Sequence, residues 1–150
     1  MTAPTPSQTV GPFFGFAMPF EADAHAVAPG SDGAVRIEGQ VFDGAGEPVP
    51  DAVVEISDAD QFARCGTDRE GAFHFTVRRE PYFDVLVFAR GLLRHLATRL
   101  YLPNADLEND PVLQLVEPVR RHTLIATPSE GGLRFDIHLQ GDQETVFIAL

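Results

Sequence analysis

From Val35 onward, apolar residues recur at every second position, in short runs cut by turns. Val35, Ile37 and Val41 alternate with Arg36, Glu38 and Gln40. Phe73, Phe75 and Val77 alternate with Ala72, His74 and Thr76. Successive side chains of a strand point to opposite faces, so this period describes strands buried on one side. Leu96, Thr98, Leu100 and Leu102 continue it, as do Leu133, Phe135, Ile137 and Leu139. Ala52–Ile56 is a short β-branched run, Val85–Ala89 an apolar run suited to a central strand, and Thr145–Leu150 reads as a last strand. Asp43–Gly46, Asp68–Gly71 and Gly141-Asp142 supply turns. Strands and turns without regular strand–helix alternation predict an all-β fold, an antiparallel β-sandwich.

Two stretches stand outside this pattern. Residues 1–34 are rich in Pro, Gly, Ala and Thr and read as an extended arm, with the sandwich occupying residues 35–150. Phe13, Phe14, Phe16 and Phe20 crowd into that arm, and so many aromatics require a surface to pack against. Between strands, residues 110–126 are ambiguous in period; Asp110 can cap a short helix with Pro111 at its first position.

A net charge of -11 opposes non-specific binding to nucleic acid or an anionic membrane. Cys65 is the single cysteine, so no intrachain disulfide forms, and a lone thiol fits a reducing cytoplasm. The first twenty residues lack the basic and apolar regions of a secretory leader. The chain has no phosphate loop, GxGxxG, GxSxG or CxxC. Asp58-Ala59-Asp60 reads as a polar turn, since the spacing of a calcium loop is missing. His25, His74, His95, His122 and His138 form no HxH or HxxxH pair, and His74 and His138 fall on the polar phase of their strands. Arg90 closes the run VLVFAR before Gly91, where a guanidinium can meet a carboxylate or face water.

Three groups of residues carry a more specific signal: TPSQTVGPF at Thr5–Phe13; FARG at Phe88–Gly91 followed by TRLY at Thr98–Tyr101; and RRHTLIA at Arg120–Ala126 followed by RFDI, QG and ETVF. In order and spacing the chain resembles the α chains of intradiol ring-cleavage dioxygenases. The resemblance implies a β-sandwich and an assembly with a β subunit that binds ferric non-haem iron through two Tyr and two His. It further implies cleavage of protocatechuate by O2 to 3-carboxy-cis,cis-muconate. By position it places Thr9, Gly11, Pro12, Phe13 and Arg90 on the wall of the partner's substrate cavity, with no catalytic residue and no metal ligand in this chain.

The departures from the family's iron pattern support that division. The family's His-x-His strand falls on Tyr82-Phe83-Asp84, and the segment before Gly66 has no counterpart for the first tyrosine ligand. Tyr82, Asp84 and a histidine could form an altered site, although adjacency in sequence does not establish convergence. A rival reading exists as well. Val41–Val54 and Thr67–Phe73 resemble transthyretin-like sandwich modules, which implies a non-enzymatic binding or structural role.

Overall fold

The computed structural model describes residues 5–11, 13–103 and 105–148. Among these, nine strands build two sheets. The first holds β1 (Ala34–Phe42), β4 (Ala72–Arg78), β7 (Thr127–Ser129), β8 (Gly132–Arg134) and β9 (Ile137–His138). The second holds β2 (Val53–Ser57), β3 (Phe62–Gly66), β5 (Tyr82–Phe88) and β6 (Leu96–Tyr101), in the order β3-β2-β5-β6. Ile37, Phe75, Ile56, Val85, Phe83 and Leu100 are buried together between the sheets, as their alternation requires. Pairing is antiparallel except that β8 and β9 both run parallel to β1.

The stretch Leu133–Leu139 alternates without a break, yet the strand is interrupted. Asp136 is the reason: its carboxylate accepts the Gln40 amide at 2.9 Å, where a main-chain carbonyl would otherwise continue the ladder. Gly39 lets the chain cross here, because a Cβ at that position would overlap the Phe135 carbonyl. Thr145–Ile148 is not a strand either. Its amides turn to three different partners: Thr145 to the His138 carbonyl at 3.0 Å, Val146 to the Thr123 hydroxyl at 3.2 Å, and Ile148 to the Ala97 carbonyl at 2.7 Å. The last two residues of the expected strand lie outside the described residues.

Two turns share one device. Asp43 Oδ1 accepts the amides of Ala45 and Glu47, and Asp68 Oδ1 those of Glu70 and Ala72. Each loop closes through a glycine of positive φ, Gly46 at 79° and Gly71 at 72°. Asp58 works similarly, accepting Asp60 N at 2.7 Å and Gln61 N at 3.0 Å, so the Asp58–Asp60 segment is a polar turn.

The arm is not extended throughout: Phe14–Ala17 forms a helical turn, α1, and Glu21–Ala24 a 3-10 turn. At the other end Asp110 caps α2 (Pro111–Gln114), accepting Val112 N and Leu113 N, with Pro111 at the first position. A 3-10 segment, Pro118–Leu124, follows. Leu113 and Leu124 close over Tyr101 on the side of the second sheet away from the core. Among the described residues no helix is long and apolar enough to cross a membrane.

Candidate functional site

The arm reaches the loop after β5 through one bond. Gly91, at φ 88°, donates its amide to the Thr9 hydroxyl at 3.1 Å. This sets Thr9 beside Arg90, two of the residues singled out in sequence and 81 positions apart. Arg90 pairs with Asp51 but leaves 63% of its side chain exposed, so the guanidinium is both charge-matched and open to solvent. Gly11 accepts the Phe14 amide at 3.3 Å, and a Cβ built on it meets nothing within 4 Å. Phe13 is 77% exposed. Pro12 lies outside the described residues.

Further along, the arm is anchored over β3 and β4. Arg64 donates to the Met18 carbonyl at 3.3 Å, and Pro19 packs on Gly66. Ala26 donates to the Thr76 carbonyl at 2.9 Å, while His25 Nδ1 and the Thr76 hydroxyl lie 3.0 Å apart. Phe13, Met18 and Phe20 of the arm and Phe62 of β3 are exposed. A cleft of about 340 Å³ lies elsewhere, bordered by His122, Arg134, Asp136 and His138. Its Arg134 is already met by Asp136 at 2.9 Å.

A second constellation stands on the outer face of β5 and β6. Their register sets Tyr82 opposite Tyr101 and Asp84 opposite Arg99. Arg99 donates from Nε to Asp84 Oδ1 at 2.9 Å, and its Nη1 lies 3.8 Å from Asp110 Oδ2. The same guanidinium lies 4.0 Å from the Tyr82 ring centroid. Tyr101 donates its hydroxyl to Asp110 Oδ1 at 2.6 Å. Burial, helped by that bond, pushes the Tyr101 phenol up to about 12, against the opposing pull of Arg99. Burial also raises the Asp110 carboxyl, but the Tyr101 hydroxyl, the Leu113 and Val112 amides and Arg99 together bring it below its ordinary range.

The partner of Tyr82 and Asp84 in this constellation is therefore an arginine, not the histidine that an altered metal site would use. The legible signal was the spacing of Arg99 and Tyr101, two apart and hence on one face of β6. Asp110 was readable as a cap but not as the acceptor for Tyr101. Ferric iron does not fit these residues: no imidazole joins them, the Tyr101 proton is held by Asp110, and a fixed positive charge already stands among them. Among the described residues no three His, Cys, Asp or Glu side chains converge as a metal site.

The two-sheet sandwich, with a helical turn packed over the outer face of β6, defines a dioxygenase-type fold. The dioxygenase domain of a carbohydrate-binding fusion protein from Streptomyces sp. SirexAA-E superposes with a TM-score of 0.62 at 22% identity, over 93% of this chain and 99% of that one. In sequence, the protocatechuate 3,4-dioxygenase alpha chain of Burkholderia cepacia is 35% identical, over 95% of each chain. The alpha chain of Pseudomonas putida is 33% identical, over 95% of this chain and 94% of that one. No protein-family profile matches the chain. The chain belongs to the intradiol ring-cleavage dioxygenase family, as a homologue of protocatechuate 3,4-dioxygenase alpha chains. The Burkholderia alignment runs over 188 positions against 150 residues here, so that relative carries segments this chain lacks.

Proposed function

We propose that this chain is the α subunit of an intradiol dioxygenase and completes the substrate pocket of an iron-bearing β subunit. The complex breaks the ring bond between the two hydroxyl-bearing carbons of protocatechuate and places both atoms of O2 in 3-carboxy-cis,cis-muconate. The iron is the partner's, since the donor set here does not suit it. In this chain Thr9, Gly11, Pro12, Phe13 and Arg90 wall the pocket, and the arm, residues 1–34, is a segment distinct from the sandwich. The observation that carries the reading is the bond from Gly91 to Thr9, which holds the arm against the Arg90 loop. An exposed guanidinium on the loop, with an open glycine and an exposed phenyl ring on the arm tethered to it, suits a flat aromatic carboxylate. Location in the cytoplasm follows from the same reading and agrees with the lone thiol of Cys65.

The rival, a non-enzymatic sandwich module, has the two Asp–Gly loops in its favour, but those loops describe a fold that many functions share.

Co-expression with a longer intradiol chain that carries His-x-His tests the proposal. The complex should be coloured by tyrosinate-bound ferric iron and should consume protocatechuate and O2. Removing residues 1–16 should dissociate it or raise KM. Failure to co-purify, or unchanged assembly and kinetics after the deletion, would defeat the reading.

A further inference from the structure

The cluster on the outer face of β5 and β6 gathers the chain's only two tyrosines with two carboxylates. Phenol and carboxylate oxygens are the donors that hard cations select. Yet one side chain meets three of them, the two carboxylates and the face of the Tyr82 ring. The Arg99 guanidinium touches Asp84 at 2.9 Å, approaches Asp110 at 3.8 Å and lies 4.0 Å from the Tyr82 ring centroid. Asp110 then passes the link to Tyr101 at 2.6 Å. We infer that Arg99 is a built-in cation, whose guanidinium permanently fills the place among Tyr82, Asp84, Tyr101 and Asp110 that a hard metal ion would otherwise take, and so bars such an ion from this chain.

The choice of arginine matters. A histidine or lysine in that place could lose its proton and yield to a metal. A guanidinium stays charged throughout the range in which proteins are folded, so the exclusion holds at every working pH. Asp84 is 57% exposed, but the Arg99 and Asp110 side chains are only 16% and 13% exposed, so on the Asp110 side solvent and salt screen an intruding positive charge poorly. Asp110 Oδ1 is also committed, because it accepts Val112 N at 2.9 Å and Leu113 N at 2.8 Å besides the phenol. The inference deepens the assignment of iron to a partner but rests on residues of this chain alone. Co-purification decides the partner and metal titration decides Arg99, so the two fail separately.

The test uses the full chain and Tb3+, a hard trivalent ion whose luminescence is excited through nearby tyrosine. The chain has no Trp, and both tyrosines lie in the cluster, so a sensitised signal reports on this place. The wild type should give no saturable signal. Arg99→Gln should gain one, and adding Asp84→Asn should abolish it. Arg99→Lys, which keeps a charge, should stay silent at neutral pH. Should Arg99→Gln lack a cooperative unfolding transition, Arg99→Met, with its apolar stem retained over the Tyr82 ring, carries the same reading. Saturable emission from the wild type, or none from a folded neutral variant, overturns the inference.

Discussion

The Gly91 amide and the Thr9 hydroxyl, 3.1 Å apart, tie the arm to the loop that bears Arg90. The bond is exposed, and its net worth is about 1 kcal/mol or less. Thr9→Val keeps the shape and deletes the acceptor. Hydrogen exchange at Gly91 should then quicken by roughly fivefold, the factor that about 1 kcal/mol represents. Thr9→Ser should preserve the protection. Unchanged exchange in Thr9→Val would mean that the arm is not held at this point.

Arg90 leads to a different expectation. Its pairing with Asp51 is largely solvent-exposed, so Arg90→Gln should cost the fold under about 1 kcal/mol. In an assembled dioxygenase the same change should raise KM for protocatechuate by several-fold while leaving an uncharged catechol unaffected. Parallel kinetics on the two substrates check this. Equal effects on both would assign Arg90 to assembly instead of carboxylate recognition.

Asp110 holds two structures at once: the first turn of α2 and the buried Tyr101 hydroxyl. Asp110→Ala removes a cap worth about 1 kcal/mol and leaves a buried hydroxyl without a partner, at about 1–3 kcal/mol. Urea denaturation should register a loss of about 2–4 kcal/mol, with Asp110→Asn milder because an amide oxygen can still cap. The folded pKa of Asp110 is held below 3.8. Its stabilisation is thus whole above that pH and declines as pH falls through the folded value.

How far the sequence discloses these features depends on how local their causes are. The faces of β1, β4 and β6 were legible because alternation is written residue by residue. β3 is not legible in this way: Phe62–Gly66 has little alternation, and Arg64 is settled there by the Glu55 carboxylate of β2, 2.6 Å away. The break between β8 and β9 was hidden for a related reason, since the Asp136 side chain substitutes for backbone only once β1 lies alongside. At the site, resemblance pointed to Thr9 and Arg90 separately, but no pattern in the sequence states that Gly91 turns its amide to Thr9. Asp110 was readable from Pro111 beside it, a near neighbour; its bond to Tyr101 is tertiary.

Alkaline pH isolates Tyr101 with unusual clarity, because the chain's cations are all arginine and no lysine titrates beside the phenols. Tyr101 keeps its proton in the fold up to about 12, whereas the ordinary phenol releases it near 10.0. Between these values the unfolded chain binds fewer protons than the folded one, so stability falls as pH rises. Tyr101's contribution is therefore whole below pH 10.0 and is lost as pH climbs toward about 12. The physical event is loss of the proton that bonds Asp110, which leaves two anions facing each other beside a single Arg99. Tyr101→Phe should be less stable at neutral pH, since it forfeits that bond, but should lose stability less steeply above pH 10.0. Cys65, whose thiol is also pushed up by burial, is common to both proteins and cancels in the comparison. Urea midpoints of the two proteins, measured alongside tyrosinate absorbance from neutral to alkaline pH, check the expectation. Parallel declines in both would mean that Tyr101 is not the group whose proton the fold protects.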